Sequence, residues 1–127
     1  GSRISKPEIA WLNSLNIPDD KEHRQVTLRV NDKRFHVDGF APDTNTIYEF
    51  YGDYWHGNPK FYNHEDVNPT CNKTYGTLFK NTLYKEIVCR NKGYNYICIW
   101  EHEWLDIKKK IILIQKYWRK YKSRNNS

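Results

Sequence analysis

The chain has little that would staple or anchor it. Its only cysteines, Cys71, Cys89 and Cys98, form no CxxC pair, and three cannot all pair internally. A disulfide framework is therefore not expected, and plain thiols in a reducing, intracellular compartment (cytoplasm or nucleus) are. No apolar run approaches the ~20 residues needed to span a bilayer, and no secretory leader is visible, so no membrane partner is expected. Internal repeats and separate linkers are also missing, and 127 residues suit one compact domain. Gly1-Ser2 reads as a scar of tag removal and is set aside.

Acidic residues are missing altogether from Lys108 onward, where eight of the 21 Lys and Arg residues lie. The formal net charge of +6 thus sits on the tail, while residues 1–107 hold 13 bases against 15 acids. A polyanion fits the tail. The mildly acidic body needs another account, and clustered carboxylates that bind a cation supply one.

What is present reads as an α/β sandwich with a mixed sheet. Residues 5–15 start a short helix, with Ser5 as N-cap, Glu8 at capping-box spacing and Ile9, Leu12 and Leu15 as its apolar face. Gln25–Val30 and Arg34–Phe40 alternate polar and apolar around the Asn31-Asp32-Lys33 turn, as a hairpin does, and Thr46–Tyr51 is a third strand. Residues 57–76 predict a long functional or flexible loop. A helix over about 78–91, a strand over 94–100 with Ile97 and Ile99 on one face, and a helix over about 105–122 complete the order.

The chemistry concentrates in FHVDGFAPDTNTIYEFYGDYWHG, residues 35–57. Asp38 lies late in one strand and Glu49 in the next, so the two carboxylates can converge on one face and share a hard divalent cation. Phosphodiester hydrolysis needs such a cation, to lower the pKa of the attacking water and to neutralise developing charge. His56, with an ordinary pKa of ~6.5, suits a general base, and Glu8 can hold a metal-bound water if its helix flanks the sheet. Singly, each has a plain structural reading: a turn aspartate, a solvated strand glutamate, a hydrogen-bonding histidine.

Three blocks in order, SKPEIAWL, GDYWHG and GYNYICIWEHEW, resemble the very-short-patch-repair (Vsr) endonucleases and the Vsr-like homing endonucleases, across nearly all of residues 5–104. The resemblance implies a PD-(D/E)XK fold, a central mixed β-sheet flanked by helices, with a basic helix after it. It implies an endonuclease domain over 3–107 followed by a basic amphipathic tail over 108–127. The implied activity is Mg²⁺-dependent hydrolysis of double-stranded DNA, with Mn²⁺ able to substitute, of homing, mobile-element or repair type. Carried over residue by residue, Asp38 matches the metal-binding aspartate, His56 the histidine of Trp-His and Glu8 the glutamate of the opening helix. Glu49 takes the acidic position of the general pattern, and Phe50 would offer its backbone carbonyl to the metal. Tyr51 stands where the general lysine would be; its ordinary pKa of ~10 makes it a poor base, better suited to positioning phosphate or water. Asp53, Asn58 and Lys60 fall where relatives carry soft zinc ligands, so no structural zinc is expected. Asp53 either caps a turn or joins the catalytic carboxylates. Tyr54 and Trp55 match aromatics that wedge into the base stack, with burial in the core as the competing reading, a reading that weighs more for Trp55. Glu101, His102 and Glu103 read as structural or supporting, and Trp104 as packed.

In the tail, Ile111, Ile114, Trp118 and Tyr121 recur at helical spacing beneath a basic face. Phosphate contact by Lys108, Lys109, Lys110, Lys116, Arg119 and Lys120 is the simplest role. Ile114-Gln115, Arg119 and Arg124 also match the spacing of an IQ motif, which would take a calmodulin-like protein, although Lys120 replaces the usual Gly. Three readings follow: an endonuclease, a catalytically inactive DNA-binding module of the same fold, and a calmodulin-type partner site on the tail. A monomer would nick DNA, whereas a homodimer could cut both strands.

Overall fold

The computed structural model describes residues 4–125, so the outermost ends of the two expected regions, at 3 and 126–127, and Gly1-Ser2 lie outside the described residues. It is a mixed α/β fold. Helix α1 (Lys6–Ser14) precedes three strands, β1 (Arg24–Val30), β2 (Lys33–Ala41) and β3 (Thr46–Tyr51). A short β4–β5 pair (Val67–Asn68, Lys73–Thr74) leads to α2 (Tyr75–Asn91), β6 (Asn95–Trp100) and α3 (Glu101–Asn125). The main sheet runs β1-β2-β3-β6, antiparallel except for the parallel β3–β6 pair, which α2 connects. Among the described residues no helix is long and apolar enough to cross a membrane.

Strand β3 is central and buried on both faces, which is why Thr46–Tyr51 is nearly unbroken in burial. Ile47 and Tyr51 enter a core with Val30, Val37, Cys89 and Tyr96 on the α2 side. Phe50 enters a second core with Trp11, Leu12, Ile17 and Trp104, roofed by α1 and α3. Glu49 points with Ile47 and Tyr51, so alternation alone carries a carboxylate under α2.

The helix starts follow capping chemistry. Ser5 accepts from the Glu8 N–H, and Thr74 accepts from the Thr77 N–H. The second cap starts α2 at Tyr75, three residues earlier than periodicity predicts. The face of α1 also differs from expectation: Trp11 and Leu12 are buried, while Ile9 and Leu15 are largely exposed. On β6 the buried residue is Tyr96; Ile97 is exposed, while Ile99 on its face packs against the α1–α3 core. The segment over 57–76 is tied down. Asn68, fully buried, donates to the Tyr54 carbonyl and accepts from the Thr70 N–H. Gly57 has φ +60°, and a Cβ there would lie 2.1 Å from the Tyr75 carbonyl oxygen, so no other residue fits.

Helix α3 starts at Glu101, directly after β6, and runs unbroken through Ile107 and Lys108. Trp104 is its buried anchor; from Leu105 onward every described residue is exposed, including Ile111, Ile114, Trp118 and Tyr121.

Gly39 is where α1 meets the sheet most closely: a Cβ would fall 3.0 Å from Leu12 Cδ2 and 3.2 Å from Tyr48 Cβ. Gly39→Ala is expected to destabilise by about 1–3 kcal/mol through overpacking and Leu12→Ala by about 2–5 kcal/mol through a cavity. Combined, they should cost less than their sum, because the truncated leucine vacates the space the new methyl needs. Urea unfolding of the two single variants and the double variant measures this.

Candidate active site

Four elements bring the candidate groups to one open cleft of about 550 Å³. α1 contributes Glu8, β2 Asp38, β3 Glu49 and Phe50, and the turn after β3 His56 and Trp55. α2 adds Lys85, and Glu101 closes one side from the start of α3. Glu8, Asp38, Glu49 and His56 are thus brought together.

Asp38 is fixed by an exchange of partners. Regular β2–β3 pairing covers Gly39–Ala41 against Thr46–Tyr48. Beyond it Asp38 Oδ2, not a backbone carbonyl, accepts the Phe50 N–H at 2.8 Å. Desolvation in the half-buried cleft holds the Asp38 carboxyl above the usual aspartate range, opposed by that hydrogen bond and by Lys85.

Glu49 is almost fully buried, and its Oε1 lies 2.7 Å from the Lys85 ammonium. Burial and then the nearby Asp38 charge push its carboxyl well up, and Lys85 only partly offsets them. Lys85 Nζ also donates to the His36 carbonyl, which pins it across the cleft mouth. Glu8 is less enclosed. Its Oε2 accepts from Gln25 Nε2 at 2.8 Å, and Gln25 Oε1 meets His36 Nε2 at 2.6 Å. Desolvation, with the Asp38 charge second, pushes Glu8 up to about 7. The Asp38 charge thus opposes ionisation of both Glu8 and Glu49.

His56 Nδ1 lies 2.9 Å from Thr82 Oγ1. Its ring rests against Tyr51, with centroids 5.0 Å apart. Desolvation, assisted by Lys85, brings His56 down to about 4, so the imidazole is neutral at ordinary pH.

Other expected residues sit differently. Tyr51 turns its hydroxyl away from the carboxylates, to Tyr96 at 3.3 Å and Glu86 at 3.5 Å, and burial raises its pKa further. Its ring packs against His56. The cation in the cleft is Lys85, which sequence reading missed, as it did Thr82 and His36. Asp53 is spoken for: its Oδ1 accepts from Asn58 Nδ2 at 2.8 Å and meets His102 Nδ1 at 3.1 Å. That cluster staples the turn after β3 to the start of α3, and Glu101 adds a 3.4 Å contact to the Asp53 N–H. Lys60 donates its backbone N–H to Asn58 Oδ1, so this corner is held by hard N and O groups. Trp55, the aromatic for which burial carried more weight, is 54 % exposed on the cleft rim. Tyr54 instead belongs to an aromatic cluster with Tyr62 and Tyr75, its hydroxyl 2.6 Å from Thr70 Oγ1. The tail cations Lys108, Lys109, Lys110, Lys116, Arg119 and Lys120 line the exposed α3, away from the cleft.

Among the described residues no three His, Cys, Asp or Glu side chains form a ready metal cage. The donor set fits a hard cation that keeps much of its water shell: two carboxylates, a strand carbonyl and no thiolate.

The raised carboxyls carry a sign. Glu8 takes up a proton on folding, because its pKa moves from 4.5 to about 7, and Asp38 and Glu49 shift the same way. Glu8's contribution to stability is complete below about pH 4.5 and is lost as pH rises through about 7, and the loss from Glu49 extends to about 8. In chelator, the melting temperature is therefore expected to fall across that window, less steeply in Glu8→Gln. Saturating Mg²⁺ should recover the loss at the alkaline end. Differential scanning fluorimetry against pH, with and without Mg²⁺, measures both.

No family model matches this chain, and comparison with curated proteins and with solved structures returns no match, so the functional reading rests on its own geometry and chemistry.

Proposed function

We propose that this chain is a divalent-metal-dependent endonuclease that hydrolyses phosphodiester bonds in double-stranded DNA, of the PD-(D/E)XK kind and akin to the Vsr-like repair and homing enzymes. The observation that carries the reading is the meeting of Glu8, Asp38, Glu49 and His56 in one open cleft, with an exposed tryptophan at its rim. An acidic cleft repels a phosphate diester on its own and accepts it once a cation is bound.

Asp38 and Glu49 would hold Mg²⁺ or Mn²⁺ with the Phe50 carbonyl, whose own N–H is engaged by Asp38. The bound ion would supply a water of lowered pKa and would neutralise charge on the phosphate. The chain's own groups do the rest. His56, neutral in its buried seat, takes a proton from the attacking water. The water oxygen bonds to phosphorus as the bond to the leaving ester oxygen breaks, and that oxygen is protonated by solvent. Lys85 pairs with Glu49 and offers its charge to a phosphate oxygen, the task that Tyr51 is turned away from. Trp55 stands clear to wedge against bases, and the α3 cations meet backbone phosphates.

One observation favours a second reading, a DNA-binding module without catalysis. Lys85 already satisfies Glu49 with a 2.7 Å ion pair that a metal must compete with.

Supercoiled plasmid incubated with Mg²⁺ or Mn²⁺ is expected to be nicked or linearised, and Asp38→Ala is expected to abolish cleavage while DNA binding survives. Binding without cutting under every divalent cation would establish the second reading. Truncation before Lys108 should weaken DNA affinity and flatten its dependence on salt, measured by fluorescence anisotropy. An unchanged salt slope would assign the tail to another partner, such as a calmodulin-like protein.

A further inference from the structure

We propose that Thr82 is a positioning residue that fixes His56 as the Nδ1–H tautomer, leaving Nε2 as the proton acceptor in the cleft. A hydroxyl has one proton, and Thr82 Oγ1 donates it to the Leu78 carbonyl at 2.9 Å, one turn back along α2. That carbonyl can only accept, so the proton is committed. Toward His56, 2.9 Å away, the Thr82 oxygen can therefore only accept, and the hydrogen between them must be on Nδ1. A neutral imidazole with its proton on Nδ1 has a lone pair on Nε2.

The surroundings enforce this choice. Thr82 is buried, so no water replaces it as acceptor. Tyr51 packs against the ring at 5.0 Å and resists a flip that would exchange the two nitrogens. The His56 N–H is bonded to the Gly52 carbonyl at 3.1 Å, which holds the turn that presents the ring. Nε2 has no bonding partner among the described residues, and His56 lines the cleft where Glu49 and Lys85 lie.

The tautomer follows from geometry alone. Its use as a base rests on the nuclease reading. There, the water O–H bond breaks, the proton joins Nε2, and Nδ1–H stays on Thr82, which stabilises the imidazolium; the proton then passes to solvent. Thr82→Val removes the acceptor while keeping the shape, and frees the proton to move to Nε2, which then cannot accept another. Thr82→Ser keeps the oxygen.

The experiment is ¹⁵N NMR of the histidine ring nitrogens in the full chain, read beside plasmid cleavage. The wild type and Thr82→Ser should show a protonated Nδ1 and an unprotonated Nε2 for His56; Thr82→Val should shift toward Nε2–H. Cleavage should fall on the order of ten- to a hundredfold in Thr82→Val, part of the ~100- to 10,000-fold that general base catalysis supplies, and recover in Thr82→Ser. An Nε2–H signal in the wild type overturns the proposal even if Thr82→Val fails to fold. So does a Thr82→Val protein that retains both the wild-type tautomer and the wild-type rate. The expected tautomers with no cleavage in any variant would leave this assignment standing and sink the nuclease reading instead.

Discussion

A backbone N–H that meets a carboxylate where a sheet would supply a carbonyl sets the rest of the molecule in order. The Asp38–Phe50 bond lets β2 and β3 part without leaving the Phe50 donor orphaned. A hydrogen bond to a charged group contributes about 1.5–3 kcal/mol, and losing one partner inside the fold costs at least as much. It also removes Asp38's freedom to rotate toward solvent, so the carboxylate is held beside Glu49 whether or not a ligand is present. β3 then does two jobs at once. Its Phe50 side anchors α1 and α3, and its Glu49 side receives Lys85 from α2.

The cleft is held in electrostatic tension by the same arrangement. Burial and mutual repulsion disfavour three ionised carboxylates, and one ammonium is not enough to offset them. The same desolvation that raises the carboxyls lowers His56, so neutral forms of both kinds of group are favoured in one small volume.

Much of this was legible in the sequence. Residues 46–51 read as a strand and are one, and Asp38, Glu49, His56 and Glu8 stand out by chemistry and spacing. Lys85 and Thr82 do not. They lie on α2, one near a turn's worth of residues from the other, where a lysine and a threonine on a helix read as ordinary solvated positions. Only the parallel β3–β6 pairing, which draws α2 back across the sheet, turns that face toward Glu49 and His56. Adjacent aromatics were equally opaque. Tyr54 and Trp55 meet edge to face after the turn, but Tyr54 also packs against Tyr62 and Tyr75, residues that sequence left in a loop, while Trp55 stays exposed. On α1 the expected Ile9 gives way to Trp11, which packs against Tyr48 and Phe50 of β3.

The pairing of Thr46 with Asn95 has a temporal consequence as well. The β1–β2–β3 meander closes through short turns and can form early from local contacts, whereas β6 must return across roughly fifty residues of chain, a slow search because loop closure is entropically costly. Without that return Glu49 would lack both the cover that buries it and the Lys85 ammonium. The ammonium that pairs with Glu49 sits on α2, so the cleft is complete only once that helix packs across the sheet.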